Sequence, residues 1–355
     1  MKAVGYLQPQ DITQTDSLID IELDIPQAQG HDLLIKVHAI SVNPVDTKVR
    51  KSASPTPGEH KILGWDAVGE VVATGSEVSL FKVGDKVWYA GDITRSGSNA
   101  EYQLVDERIV GIKPASLSDV EAAAMPLTAI TAWELLFDRL DFTPNLPTQS
   151  DSNVAIQQAK PSAPKPIILI MGAAGGVGSI LTQLAATLTQ ATVIGTASRP
   201  QSQDWVKALG ADHVIDHHQP LLPQLNKLGI SHVSHVISLT HTDQHFSQLI
   251  EVLAPQGKLA LIDDPQQDID IKKLKQKSLS LHWELMFTRA MFTTWDIQKQ
   301  HDLLTQVSQL VDAGILKTTL GQHYGAINAS NLKRAHAYIE THQAVGKVVL
   351  EGFDQ

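Results

Sequence analysis

The chain has 355 residues, of which 43% are hydrophobic and 19% are charged, and its formal net charge is −10 at pH 7. This composition is typical of a globular protein too long for a single compact core, and the acidic balance argues against a nucleic-acid partner, whose phosphates require a basic surface. Because cysteine is absent, disulfides, thiolate catalysis and every zinc site with sulfur ligands are excluded.

The sequence indicates neither a membrane span nor a secretory signal. The first residues, MKAVGYLQPQD, contain no apolar segment, and no apolar run approaches the roughly 20 residues that cross a bilayer. We therefore expect a cytoplasmic protein with no membrane partner.

Short strand patterns separated by turn residues fill the N-terminal part of the chain. They include DLLIKVHAISV (32–42), which alternates apolar and polar residues, and AVGEVVATGSEVSLFKVGDKVWYAG (67–91), which contains two glycine turns. A further pair of strands is expected in 99–114. This spacing predicts a compact, mostly antiparallel β domain.

Helical signals follow this β region. Ser118 and Glu121 have the spacing of a capping box, and Pro126 interrupts that helix before a second helical stretch over 127–140. Residues 143–166 are rich in Pro, Ser and Gln, which predicts a surface insertion.

From residue 167 onwards, short apolar runs alternate with helical segments. Such alternation predicts a parallel, doubly wound sheet and therefore an α/β protein. The predicted strands are 167–171, 192–196, 213–216, 233–239, 257–262 and 279–285. An amphipathic helix over 297–314 and a strand over 346–351 follow.

A glycine-rich turn joins the first of these strands to a helix. It comprises Ala173, Ala174, Gly175, Gly176, Val177 and Gly178. Gly175 permits close approach of a pyrophosphate, Gly178 permits close packing of the helix, and the helix N-terminus offers N–H groups to phosphate. We predict that these residues bind a dinucleotide; the alternative is a glycine-rich turn that binds nothing.

The residues after the second strand predict which dinucleotide is bound. An acidic residue there would bind the ribose 2′-hydroxyl of NAD, but this chain has Ser198 and Arg199, and a guanidinium suits a 2′-phosphate. The predicted cofactor is therefore NADPH. Thr240, which follows a predicted strand, and Lys347, in the closing GKVVLE, complete the predicted cofactor contacts.

Seven stretches in this order and spacing resemble the medium-chain dehydrogenase/reductase superfamily, and within it the zinc-independent quinone oxidoreductases, often labelled zinc-type alcohol dehydrogenase-like. They are SVNPVDTKVR, ILGWDAVGEV, VGDKVWYAGD, AAAMPLTAITAWELLF, AAGGVG, ALGADHVID and GKVVLE. The resemblance implies a GroES-like substrate domain over 1–126, completed by 291–355, and a Rossmann cofactor domain over 127–290. It also implies a homodimer that joins its Rossmann sheets at the edge strand 279–284.

The resemblance also indicates site residues. Asn43 and Asp46 match the wall of the active site, and Thr128 matches a residue that contacts the nicotinamide. Trp65 either forms an aromatic wall for a flat substrate or fills the core, and Tyr89 either caps the pocket or fills the β core.

Zinc-bearing relatives have cysteine at the position of Asn43 and Gly-His-Glu at the positions of Gly64, Trp65 and Asp66. We therefore predict no metal site there. His241 and His245 are four residues apart, but no nearby acid completes a metal site around them.

A reductase without a metal has no Lewis acid to stabilise an alkoxide, whereas quinones and enones delocalise the developing charge. The leading hypothesis is therefore NADPH-dependent reduction of quinones by hydride transfer, with Asn43 donating to the substrate oxygen and solvent or Asp46 supplying the proton. The alternatives are NADPH-dependent reduction of the C=C bond of α,β-unsaturated carbonyls, and a non-catalytic NADPH-binding sensor.

Overall fold

The structure is a computed structural model that describes residues 1–147 and 165–353. The chain divides into two compact units. The first comprises Met1–Thr131 and Leu285–Gln355, and the second comprises Ala132–Glu284. The predicted domain limits, 126/127 and 290/291, lie five and six residues from these boundaries. The helix that begins at Pro126 crosses the first boundary.

The first unit is built mainly from strands. Its N-terminal part contains, in chain order, β1 (Lys2–Tyr6), β2 (Ile19–Glu22), β3 (Asp32–Val42), α1 (Pro44–Ser52), β4 (Lys61–Ile62), β5 (Asp66–Thr74), β6 (Lys86–Ala90), β7 (Tyr102–Asp106), a 3₁₀ turn (Glu107–Ile109), β8 (Val110–Ile112), α2 (Asp119–Ala123) and α3 (Pro126–Trp133).

The second unit alternates strands and helices. After a π-helical segment (Glu134–Arg139) it contains β9 (Ile167–Met171), α4 (Gly176–Leu188), β10 (Thr192–Thr196), α5 (Pro200–Ala208), β11 (His213–Ile215), α6 (Leu221–Lys227), β12 (Val233–Ser238), α7 (Thr242–Val252), β13 (Leu253–Leu261), a 3₁₀ segment (Ile271–Lys277) and β14 (Ser280–Trp283). The chain then returns to the first unit with α8 (Thr288–Met291), α9 (Lys299–Asp312), β15 (Leu320–His323), α10 (Ala329–Glu340) and β16 (Lys347–Glu351).

In the described part of the first unit, the main sheet has the order β15-β16-β3-β5-β6-β8, and β7 also pairs with β3. All of its pairs are antiparallel except β15 with β16. Strand β16 therefore lies beside β3, with Val348 opposite Val42, although the two strands come from opposite ends of the chain. A smaller sheet of order β2-β1-β4 completes the predicted β domain.

In the described part of the second unit, the sheet has the order β11-β10-β9-β12-β13-β14, and every neighbouring pair is parallel. Numbered within the unit, this is the strand order 3-2-1-4-5-6 of a Rossmann fold. Strand β9, with the sequence IILIM, is buried along most of its length, as expected for a strand covered on both faces. The predicted fold class is confirmed.

Several element boundaries differ from the predictions. The helical stretch expected over 127–140 is α3 followed by the π-helical segment, and β13 begins four residues before the predicted 257. Of the predicted insertion 143–166, residues 148–164 lie outside the described part. None of the helices in residues 1–147 and 165–353 is both long enough and apolar enough to span a bilayer.

Candidate active site

Asn43 and Asp46 lie at the start of helix α1, directly after strand β3. Asn43 is the N-cap, Pro44 is the first helical residue, and the Asn43 backbone N–H donates to Asp46 Oδ2 at 2.6 Å. Asp46 Oδ1 accepts the backbone N–H of Gly64 at 2.9 Å. Burial raises the pKa of Asp46 to about 7, against the opposing effect of the N–H groups that it accepts. The carboxyl group of Asp46 therefore changes protonation near neutral pH.

Asp66, at the start of β5, collects four donors although it is fully buried. Its Oδ2 accepts from Ser41 Oγ at 2.7 Å, from Asn43 Nδ2 at 2.8 Å and from Lys347 Nζ at 2.8 Å. Its Oδ1 accepts the backbone N–H of Leu127 at 2.7 Å. This one carboxylate thus links β3, β16 and the start of α3.

Lys347, the first residue of β16, is 3% exposed. Its ammonium donates to Asn43 Oδ1 as well as to Asp66. Lys347, which the sequence predicts as a cofactor contact, thus lies with these two side chains in the first unit. We call Asn43, Asp46, Asp66 and Lys347 the polar cluster.

Trp65 directly precedes Asp66 of the polar cluster in the sequence, and its side chain is fully buried. Its indole N–H donates to the carbonyl of Asp92 at 3.2 Å, and its ring meets the Phe287 ring edge-on at a centroid distance of 5.8 Å. This packing favours core filling over an exposed aromatic wall.

Tyr89 and Thr128 are also buried, and their hydroxyl groups bond within the first unit. The Tyr89 hydroxyl donates to Gln103 Oε1 at 2.8 Å, and burial raises its pKa well above the usual range. Thr128 Oγ1 donates to the carbonyl of Met125 at 3.0 Å. Tyr89 is therefore part of the β core. Thr128 directly follows Leu127, whose backbone N–H donates to Asp66.

The polar cluster does not fit the zinc ion that some family descriptions imply. A zinc ligand needs a free lone pair on nitrogen, sulfur or a carboxylate oxygen. Trp65 has only an N–H at this position, Asn43 is an amide, and the Lys347 ammonium already meets the Asp66 oxygen that would bind a cation. Elsewhere in residues 1–147 and 165–353, no three His, Cys, Asp or Glu side chains are placed to share a metal ion.

In the second unit, the glycine-rich turn lies between β9 and α4. Gly172, at φ +78°, donates its N–H to Thr196 Oγ1 at 3.0 Å, and Gly175 is the N-cap of α4. A Cβ on Gly178 would lie 2.4 Å from the Gly172 carbonyl oxygen, so only glycine fits there. Because α4 has 13 residues and begins at this turn, its first N–H groups are available to phosphate. The turn fits a dinucleotide pyrophosphate.

Three other predicted cofactor residues lie at the same end of this sheet. Ser198 and Arg199 follow β10; Ser198 is half-buried, Arg199 is exposed, and Arg199 is the N-cap of α5. Thr240 lies against the turn, since a Cβ on Gly172 would be 3.0 Å from Thr240 Cγ2. His241 is the N-cap of α7 and pairs through Nδ1 with Thr240 Oγ1 at 2.7 Å.

Sequence reasoning missed Ser41, and it did not predict the contacts of Lys347 with Asn43 and Asp66. The alternation along β3 places Ser41 and Asn43 on one face, so Ser41 was open to prediction. No local pattern pairs Lys347 with Asn43, because they are 304 residues apart and meet only through the pairing of β16 with β3.

Two parts of the chain match family models. Residues 29–117 match the description "Alcohol dehydrogenase GroES-like domain", and residues 209–350 match "Zinc-binding dehydrogenase". A zinc-type alcohol dehydrogenase-like protein of Staphylococcus aureus is 36% identical over 351 residues, 99% of each chain. A quinone-oxidoreductase homolog of Spinacia oleracea is 35% identical over 58% of each chain, and 2-methylene-furan-3-one reductase of Solanum lycopersicum is 28% identical over 99% of this chain and 79% of its own.

Two solved structures have the same fold. One, from Rhizobium etli and described provisionally as a zinc-dependent alcohol dehydrogenase, has a TM-score of 0.92 and 53% identity, covering 100% of this chain and 99% of its own. Quinone oxidoreductase of Escherichia coli, in complex with NADPH, has a TM-score of 0.80 at 23% identity, covering 99% of this chain and 100% of its own. The chain belongs to the medium-chain dehydrogenase/reductase superfamily, where it is similar to the zinc-type alcohol dehydrogenase-like proteins.

Proposed function

We propose that the chain is an NADPH-dependent oxidoreductase that reduces quinones by hydride transfer without a metal ion. The observation that carries this proposal is the Lys347 ammonium bound between Asn43 and Asp66, at the positions where zinc-bearing relatives have metal ligands. A fixed ammonium group at these positions, unlike a metal ion, does not bind an alkoxide as a Lewis acid. It therefore suits substrates such as quinones, which delocalise the developing negative charge themselves.

The second unit supplies the proposed cofactor site. The tight packing at Gly178 and the open N-terminus of α4 fit a pyrophosphate, and Arg199, after β10, suits the 2′-phosphate of NADPH. When bound, the reduced nicotinamide supplies a hydride.

The first unit supplies the proposed polar groups for the substrate. As the hydride enters a quinone, negative charge develops on the oxygen that will become a hydroxyl, and the Asn43 amide donates a hydrogen bond to it. One proton then reaches that oxygen from solvent or from Asp46, whose pKa of about 7 allows proton exchange near neutral pH. Hydride plus proton together give the hydroquinone.

Reduction of the C=C bond of α,β-unsaturated carbonyls is the second candidate. It is favoured by the tomato 2-methylene-furan-3-one reductase, which is similar along 99% of this chain, whereas the spinach quinone-oxidoreductase homolog is similar along 58%. Both reactions place negative charge on a delocalised oxygen and use the same residues.

The homodimer expected from the family would join two β14 strands, each the edge of its sheet in the described structure.

An assay of NADPH oxidation with quinones, enals and enones tests the proposal. We expect turnover of quinones, and the ratio of kcat/KM values between quinones and enones decides between the two reactions. The assay is run alongside a titration of NADPH binding by fluorescence. NADPH binding with no turnover on any acceptor would refute both reactions and favour a non-catalytic sensor.

A further inference from the structure

The amide of Asn43 lies between two opposite charges. Its Oδ1 accepts from the Lys347 ammonium, and its Nδ2 donates to Asp66 Oδ2 at 2.8 Å. The ammonium and the carboxylate also bond to each other at 2.8 Å, so the three groups form a closed ring of hydrogen bonds. All three side chains are at most 3% exposed.

This arrangement allows the Asn43 amide only one orientation. The oxygen and the NH₂ group of an amide are nearly equal in size, so packing alone does not distinguish two orientations related by a flip. Here a flip would place N–H hydrogens against the Lys347 ammonium and the carbonyl oxygen against the Asp66 carboxylate. Because the three side chains are almost completely buried, solvent would relieve little of either repulsion.

The orientation also fixes the direction of the second amide hydrogen of Asn43. One hydrogen of Nδ2 is bound to Asp66, and the other faces the Ser41 carbonyl oxygen at 3.5 Å, the limit of a hydrogen bond. Asp66 is in turn held by Ser41 Oγ and by the backbone N–H of Leu127, so its carboxylate is fixed in place. The second hydrogen is thus a directed donor whose present partner lies at the limit of hydrogen-bond distance.

We propose that Lys347 is a positioning residue which, together with Asp66, holds the Asn43 amide with this hydrogen directed at the substrate oxygen. The Lys347 ammonium also withdraws electron density through Oδ1, which strengthens the Nδ2–H groups as donors. The inference rests on the proposed function, and it assigns to Lys347 an effect on the chemical step rather than on cofactor binding.

The test compares Lys347→Met, Lys347→Arg and, as a matched control, Lys36→Met, an exposed lysine on the neighbouring strand β3. The measurements are kcat and KM with the best acceptor from the panel, the NADPH Kd by fluorescence, and thermal unfolding by circular dichroism. We expect Lys347→Met to lower kcat about 10- to 100-fold, somewhat less than the loss of a whole oxyanion donor. We expect NADPH Kd to change by less than about threefold and Lys347→Arg, which keeps the charge and the donors, to recover most of the lost kcat.

Lys347→Met leaves the buried Asp66 carboxylate without its cation, which endangers folding. The double variant Lys347→Met/Asp66→Asn removes both charges and avoids this problem, and we expect its kcat to be reduced similarly because the amide is no longer locked. Wild-type kcat in a folded Lys347→Met or in the double variant would overturn the inference. So would a raised NADPH Kd with unchanged kcat at saturating NADPH, which would make Lys347 a cofactor contact.

The outcomes also separate this inference from the proposed function. If the wild-type protein turns over quinones or enones and the variants behave like it, only the positioning role of Lys347 is refuted. If the wild-type protein turns over no acceptor, the proposed function is refuted and the positioning role with it.

Discussion

The carboxylate of Asp66 shows how much a single buried residue determines in this protein. It accepts hydrogen bonds from the side chains of Ser41, Asn43 and Lys347 and from the backbone of Leu127. A buried carboxylate is tolerated only when it is paired and hydrogen-bonded, and both conditions are met here. The same contacts explain why a zinc ion does not fit, since the cation that balances Asp66 is part of the chain.

At the other proposed site, Arg199 is the residue whose replacement should change the choice of cofactor. Hydrogen bonds from a guanidinium to phosphate contribute about 1.5–3 kcal/mol. We therefore expect Arg199→Ala to raise the KM for NADPH about ten- to a hundredfold and to leave the KM for NADH within about twofold. Steady-state kinetics with both cofactors measure this.

The control for this prediction is Lys207→Ala, because Lys207 is exposed on α5, the helix that Arg199 caps. If Arg199→Ala shows the wild-type preference between NADPH and NADH, Arg199 does not read the 2′-phosphate. An equal rise in both KM values would instead indicate a general effect on the second unit.

At the scale of elements, the glycine-rich turn between β9 and α4 contains two glycines that we expect to be required for different reasons. Gly178 is required by packing, because its hydrogen faces the Gly172 carbonyl oxygen. Gly175 has φ −73° and room for a Cβ, whose nearest neighbour would be the Gly172 oxygen at 3.6 Å. A requirement for glycine at position 175 would therefore come from a ligand that binds beside it and not from packing within the chain.

Paired substitutions distinguish these two reasons. Gly178→Ala would place its Cβ 2.4 Å from a backbone oxygen, so we expect a Tm lower by several degrees together with loss of NADPH binding. Gly175→Ala fits the backbone, so we expect a Tm within a few degrees of wild type but a raised NADPH Kd. Melting curves and fluorescence titrations of both variants check this, and unchanged NADPH affinity in Gly175→Ala would exclude close approach of the pyrophosphate there.

Elements that depend on local pattern were predictable from sequence. Strand β9, the glycine-rich turn and the parallel sheet follow from apolar runs and glycine spacing. The capping box at Ser118 is present: the Glu121 backbone N–H donates to Ser118 Oγ at 3.3 Å, and the Ser118 backbone N–H donates to Glu121 Oε2 at 3.0 Å. The π-helical end of the stretch over 127–140 was not predictable, since a π-helix differs from an α-helix by one hydrogen-bond position without a distinct residue pattern.

The candidate site was predictable only in part. Asn43 and Asp46 were predicted because both lie in SVNPVDTKVR, one of the stretches that carry the family resemblance. The bonds of Asp66 to Lys347 and Leu127 depend on long-range pairing, for which a single sequence gives no register. Tyr89 and Trp65 were named as site candidates because aromatic residues suit both a pocket wall and a core, and their complete burial is visible only in the folded chain.

At the scale of the whole molecule, the first unit is assembled from both ends of the described chain. Strand β16 pairs with β3, and helix α10 packs against α1. Between these helices, fully buried Arg50 donates to His336 Nδ1 at 3.2 Å and forms an ion pair with Glu340. Burial and the nearby Arg50 lower the pKa of His336 to about 3, so His336 is neutral in the folded protein.

This buried histidine predicts acid sensitivity of the first unit. Its folded pKa lies below the ordinary value of about 6.5, so the unfolded chain binds more protons and stability is lost as pH falls below about 6.5 towards 3. We expect His336→Gln to flatten part of the fall in Tm between about pH 6.5 and 4, a contribution on the order of a few kcal/mol in wild type. Melting curves across this range compare wild type, His336→Gln and, as a control, His323→Gln at an exposed position. Identical pH slopes for wild type and His336→Gln would contradict the prediction.

The pairing of β16 with β3 has a consequence for synthesis on the ribosome. Asn43 and Lys347 are separated by 304 residues, and the whole second unit is translated between them. The second unit can therefore acquire its fold while the nascent chain is still being extended, since domains generally fold as units during synthesis. Until Lys347 has emerged, however, residues 39–42 of β3 lack the strand that pairs with them on one edge, and the buried carboxylate of Asp66 lacks its counter-ion. Chains that stop before β16 would thus expose an unpaired strand edge to aggregation and proteolysis, and the proposed catalytic amide would be positioned only in chains that have been translated past Lys347.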